Sequence, residues 1–202
     1  MTMSTPIIVS IRHQIASIIR SEIMTGRLKP GSKINEYSLA KQFGVSRGPV
    51  RYALLKLDKE GIVECKDNAG TKVVESLPKE MKETLHSLRL NIESKALKYA
   101  INEKNEWQVA DLANLVKQIE TKLASEDTES TLDSIITFHR QLVAIGGNDL
   151  LGVWHSIAMR TFVNFDLSTI TAESVARYQI LITHLNNREL RKATATLKSI
   201  II

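Results

Sequence analysis

Cysteine is almost absent. Cys65 stands alone in 202 residues, which rules out an internal disulfide and any zinc site built from several thiolates. Long hydrophobic runs are missing as well. No apolar stretch approaches the roughly 18–20 residues needed to cross a bilayer. The early Pro6-Ile7-Ile8-Val9 run is cut short by Arg12 and follows no basic segment, which argues against a secretory signal. No phosphate-cradling P-loop, G-x-G-x-x-G or H-E-x-x-H pattern occurs, and no paired-carboxylate or nucleophile–base constellation is evident. The expectation is a soluble cytoplasmic protein, not an enzyme, with no membrane contact.

What is present is globular: 43% hydrophobic and 24% charged residues, in a length that allows one ordinary domain or two modest ones. The charge is unevenly spread. Residues 1–77 carry 12 Lys/Arg against 7 Asp/Glu, whereas residues 78–202 carry 15 of each. The whole excess of +5 therefore lies on the first third of the chain, where it suggests an anionic partner such as nucleic acid.

Periodicity divides the chain in the same place. Ile11, Ile15, Ile18, Ile19 and Ile23 recur at helical spacing over 9–25, and Gly26 ends that helix. A short helix after Asn35 would turn Leu39, Ala40 and Phe43 inward, with Gly44 just past its end. Ser46 is a good N-cap for a third helix reaching about Glu60, whose stripe is Val50, Ala53, Leu54 and Leu57. The period then changes to that of strands at 62–65 and 71–75, joined by the turn-rich segment 66–70. Three helices and a hairpin predict a winged helix-turn-helix over 1–77. Residues 78–202 predict an all-α antiparallel helical bundle with helices near 79–102, 105–125, 128–145, 148–166, 172–186 and 188–201. Fold class is thus mainly α.

The run from Phe43 to Arg51 carries the most chemistry. Arg47 and Arg51 lie one turn apart, away from Val50 and Leu54. At the start of a recognition helix, such guanidiniums can pair with guanine O6/N7 or clamp a phosphate; on an ordinary surface helix they are simply solvated. Ser46 and the free N–H groups of the first turn can hold a phosphate too. Gly44-x-Ser46-x-Gly48 also fits the hydrolase nucleophile elbow, but that elbow needs a preceding strand, and here a helix precedes it.

These residues resemble the GntR family of bacterial transcription regulators. The likeness runs through Gly26-x-Leu28-x-Pro30-Gly31, Glu36-x-x-Leu39-Ala40, Gly44-Val45-Ser46-Arg47-x-Pro49-Val50-Arg51-x-Ala53-Leu54, Leu57-x-x-Glu60-Gly61 and Gly70-x-x-Val73. The resemblance implies a winged helix that binds double-stranded operator DNA as a homodimer. It places Ser46, Arg47, Gly48, Pro49 and Arg51 on the DNA-reading segment and Gly70 at the tip of the wing. Tyr52 and Gly48 depart from the Glu and Thr usual in the family.

The second part looks like the FadR-type effector domain of the same regulators. The fragments are Arg89-x-x-Ile92-Glu93-x-x-Ala96, then Phe138-His139-x-x-Leu142 with Gly147-Asn148-x-Leu150, then Leu181-Ile182 with Glu189-x-x-x-Ala193. Many members hold a divalent metal through an Asp and three histidines. Here those positions read Ile135, His139, Tyr178 and Ile200, and one imidazole cannot replace a full ligand set; no metal and no cofactor are expected. The resemblance leaves Arg89, His139 and Tyr178 as candidate contacts to a small-molecule effector, an organic acid or acyl compound. For Arg89, an ion pair with Glu93 one turn on is an equal alternative. A metal-dependent sensor of the same fold, and a DNA-binding protein without an effector, stand as the other readings.

Overall fold

The computed structural model describes residues 10–66, 70–102 and 106–202, with backbone alone at 106–108. Two units separate by their internal packing, Met1–Ser76 and Leu77–Ile202. In the first, helices α1 (Ile11–Met24), α2 (Glu36–Gln42) and α3 (Arg47–Lys59) accompany strands β1 (Lys33–Ile34), β2 (Val63–Lys66) and β3 (Gly70–Val73). Helix α1 packs on α3, burying Ile15, Ile19 and Ile23 against Val50, Ala53, Leu54 and Leu57. Each large apolar side chain so buried stabilises the fold by about 1.5–3 kcal/mol. Ile11 and Ile18 were expected on the same stripe but are 46% and 45% exposed. At 100° per residue both fall to one flank of the face centred on Ile19.

Helix α2 and the turn that follows it are set by caps. Asn35 accepts a hydrogen bond from the Ser38 N–H at 3.0 Å. At the other end Gly44 takes φ +64°, its N–H goes to Lys41 O, and that of Val45 goes to Ala40 O. That pair of bonds is a Schellman closure, and it favours glycine at the left-handed position. Ser46 occupies the N-cap of α3 with extended backbone, but its hydroxyl makes no capping bond. The third helical residue is Pro49, which has no N–H to give it. Ala40 is the buried residue of α2; Leu39 and Phe43 are only half-buried.

The sheet has order β1-β3-β2, antiparallel throughout. Val63 faces Val73 and Lys66 faces Gly70 in one pair; Ile34 faces Thr71 in the other. Strand β1 was not anticipated, because two residues carry no alternation. Residues 67–69 of the expected turn lie outside the described residues. A bidentate ion pair from Arg20 of α1 to Glu60, at 2.7 and 2.8 Å, ties α1 to the C-cap of α3.

The second unit is a helical bundle of α4 (Lys79–Asn102), α5 (Glu106–Ala124), α6 (Thr128–Ala144), α7 (Asn148–Phe162), α8 (Ala172–Asn186) and α9 (Leu190–Ile201), with a 3-10 turn at Leu167–Thr169. Helix α4 packs against α6, α7 and α9, and α5 against α6 and α8. Leu97, Leu112, Ile119, Phe138, Leu142 and Trp154 are fully buried. The helix expected over 148–166 stops at Phe162: Val163 is extended and Asn164 takes φ +53°. Asp127 caps α6, and Thr171 with Ser174 closes a reciprocal capping box on α8. No helix among the described residues is long and apolar enough to cross a membrane.

Candidate nucleic-acid interface and ligand cavity

The first unit exposes two arginines, Arg47 and Arg51, in the first turns of α3. Ser46, Arg47, Gly48 and Arg51 are exposed and Pro49 is half-buried, while Val50 and Leu54 are sealed in the core. Beside them runs a groove of about 550 Å³, whose walls include Arg47, Arg51, Lys66 of β2 and Gly70 of β3. The helix start and the wing strands therefore share one concavity. Gly70 opens β3 with φ +81° and is exposed.

Two acidic groups share the groove, Glu36 and Asp58. Asp58 is turned inward and accepts from the Cys65 N–H at 2.9 Å. Glu36 reaches Arg47 Nη2 at 3.3 Å, an exposed pair that steers the guanidinium more than it stabilises the fold. Tyr37, 69% exposed in the first turn of α2, also lines the groove. Sequence reasoning passed over Tyr37 and Lys66; an aromatic at a helix start with no core role was the available signal. Of the two departures noted above, Tyr52 packs under the Arg12 guanidinium, 5.1 Å from its ring centroid. Gly48 has only Ser46 Oγ near its missing Cβ, at 4.0 Å, so packing does not demand glycine there.

In the second unit the three candidate effector residues meet, joined by a carboxylate. Glu93 is fully buried and accepts three hydrogen bonds: from Arg89 Nε at 2.6 Å, His139 Nδ1 at 2.6 Å and Trp154 Nε1 at 2.7 Å. Burial opposes its ionisation, but the groups of His139 and Arg89 outweigh that and hold its pKa at about 2. Burial pushes the His139 imidazole below its ordinary value and the Tyr178 phenol above its own. A neutral imidazole then gives its Nδ1–H to Glu93 and accepts at Nε2 from the Tyr178 hydroxyl, 3.0 Å away. Arg89 also reaches Thr161 Oγ1 at 3.5 Å and lies over the Phe162 ring, 4.6 Å from its centroid. The Arg89–Glu93 ion pair foreseen as an alternative is present, and its guanidinium still borders a cavity.

That cavity has a volume of about 300 Å³. Ile135, His139, Tyr178 and Ile200, the positions aligned with metal ligands in many regulators, all line it. They do not fit a divalent cation. Two are hydrocarbon, the phenol holds its proton, and the free imidazole nitrogen is taken by that phenol. Among the described residues no group of three or more His, Cys, Asp or Glu could hold a metal. His155 and His184 lie elsewhere; His184 pairs with Glu189 at 2.7 Å. Tyr178→Phe removes the donor to His139 Nε2 and leaves a buried acceptor unpaired. It should lower stability by about 1–3 kcal/mol, read as a shift in the urea midpoint of tryptophan fluorescence.

Comparison with known proteins fits both halves. The family model described as "Bacterial regulatory proteins, gntR family" matches residues 11–73, and that of the FCD domain matches residues 84–202. The uncharacterized HTH-type transcriptional regulator YdhC of Bacillus subtilis is 33% identical over 118 residues, covering 57% of this chain and 52% of that protein. The chain thus spans about half the length of that relative. The gluconate operon transcriptional repressor of Bacillus licheniformis is 26% identical over 180 residues, 88% of this chain and 72% of the repressor. The solved structure of Escherichia coli McbR/YncC shares the fold, with a TM-score of 0.77 at 20% identity over 96% of this chain and 94% of that one. These relatives are transcription regulators, not enzymes.

Proposed function

Because the chain belongs to the GntR family of bacterial regulatory proteins and carries an FCD domain, we propose that it binds operator DNA in the cytoplasm as a homodimer under the control of a small organic acid. One observation carries the DNA-binding half: Arg47 and Arg51 project from the first turns of α3 into the groove that Gly70 and Lys66 complete. Arginine forks in that position suit guanine edges and phosphates alike. Each winged helix would meet one half-site, and a two-fold dimer then calls for a palindrome. The effector acts only through unequal affinity for DNA-competent and DNA-incompetent dimers. A metal-dependent sensor is disfavoured by Ile135, Ile200 and the His139–Tyr178 bond.

Fluorescence anisotropy tests this with a labelled fragment from upstream of the protein's own gene and a scrambled control. The expected result is tight binding to the first alone. Its affinity should fall with salt at a logarithmic slope of about −0.9 per phosphate contact. Equal weak binding to both fragments, and no site recovered by selection from random sequence, would overturn the reading.

A further inference from the structure

The cavity of the helical unit has more basic groups than its buried network uses. Arg89 is consumed: Glu93 takes its Nε, Thr161 accepts from Nη1, and Phe162 covers a face. Three other basic groups line the same space, Lys82 and His86 one turn apart on α4 and Arg177 on α8. The side chains of Lys82 and His86 make no hydrogen bond or ion pair to any described residue, although the charge of Lys82 reaches Asp166 and helps to lower its pKa. Arg177 is half-engaged, with Nη1 on Ser199 O at 2.7 Å and Nη2 on Glu173 at 3.1 Å, a carboxylate that is 84% exposed. Among the described residues no Asp or Glu lines the cavity. The same cavity is also lined by Ile135, Phe162, Phe165, Ile170 and Ile200.

We propose that the ligand is a compact anion with an apolar body, its carboxylate or phosphate held directly by Lys82, His86 and Arg177 without a metal. This rests on the reading of the cavity as the effector site, and it reassigns the roles within that site. Arg89 is a positioning residue that fixes Glu93, and through it His139 and Tyr178, as one wall. The anion belongs to Lys82 and His86, whose side chains have no partner among the described residues, and to Arg177, whose carboxylate partner is mostly exposed. Burial and the charges of Arg89 and Lys82 push the His86 pKa down, a sign of a positive field that an anion would relieve. Volume limits the body. At about 30 Å³ for a water-sized group, a cavity of about 300 Å³ admits on the order of ten non-hydrogen atoms. A single aromatic ring or a branched short chain with its acid fills it, whereas a long acyl chain would have to run out past its lining.

Isothermal titration calorimetry on the full chain tests this with phenylacetate, 4-methylpentanoate, phenyl phosphate, and phenylacetamide as the neutral control. At least one of the three anions should bind saturably at one site per chain, and the amide about tenfold or more weaker than phenylacetate. Preference for phenyl phosphate over phenylacetate identifies a phosphate ligand, and the reverse a carboxylate. Lys82→Ala and Arg177→Ala should each weaken the anion about tenfold while thermal unfolding stays near that of the unmodified chain. Lys82→Arg should restore binding, which a merely structural role would not require. Failure of all three anions to bind, amide binding equal to acid, or wild-type affinity in both alanine variants would overturn the proposal. Operator anisotropy is measured separately. DNA binding without anion binding removes this inference alone, and anion binding that leaves operator affinity unchanged removes the effector reading alone.

Discussion

Glu93→Ala should destabilise the helical unit by about 3–5 kcal/mol, the range for breaking a buried charge pair from one side. Three donors converge on this carboxylate, from Arg89, His139 and Trp154, and alanine would strand all three out of water. Arg89 is the severe loss, because a 4% exposed guanidinium keeps its charge and has no other carboxylate partner among the described residues. The same network sets an acid limit. Glu93 has a folded pKa near 2 against 4.5, so the unfolded chain binds its proton first. Its stabilisation is complete above about pH 4.5 and is lost as pH falls toward 2, on the order of 3 kcal/mol in all. His139 works in the same direction from a higher start: its pKa is lowered in the fold, so stability begins to fall once pH drops below about 6.5, where the unfolded imidazole charges. Both tryptophans, Trp107 and Trp154, belong to this unit, so urea midpoints by tryptophan fluorescence read it without the winged helix. A midpoint flat between pH 7 and 4, or Glu93→Ala unfolding like the unmodified chain, would contradict this account.

Some of this network was legible beforehand and some was not. The spacing of Arg89 and Glu93 announces a contact, since i and i+4 share a helix face. That Glu93 would also collect His139 from α6 and Trp154 from α7 depends on how three helices cross, which no periodicity in one of them encodes. Lys82 and His86 escaped for a related reason: at i, i+4 and i+7 with Arg89 they read as an ordinary polar stripe until α8 closes opposite. In the winged helix the local signals were stronger. Asn35, Gly44 and the Val50–Leu57 stripe each fix a boundary by their own chemistry. Even so, Ser46 was read as a capping side chain while Pro49, three residues later, removes the N–H it would have met.

Arg47→Ala should weaken operator binding by about 1–3 kcal/mol if the fork reads a base, roughly 5- to 150-fold, and should relax specificity at one position of each half-site. If the fork grips a phosphate, the loss is spread evenly over all sequences and the salt slope falls by about 1 per half-site. The geometry favours the first outcome for Arg47 and the second for Arg51. Arg47 is oriented by Glu36 at 3.3 Å, and an arginine with one preset partner loses less rotamer freedom on engaging a planar acceptor. No such carboxylate partner holds Arg51 among the described residues, and it lies a turn further along α3, toward Asp58 and the wing. Because the Glu36 pair is exposed and worth little, DNA can take the guanidinium from it at small cost. Glu36→Gln should therefore leave the fold intact, raise affinity for scrambled DNA by removing a negative charge from the groove, and narrow the gap between operator and control. Anisotropy titrations of Arg47→Ala, Arg51→Ala and Glu36→Gln at two salt concentrations separate these roles. Unchanged operator affinity in both Arg47→Ala and Arg51→Ala would remove α3 from the interface altogether.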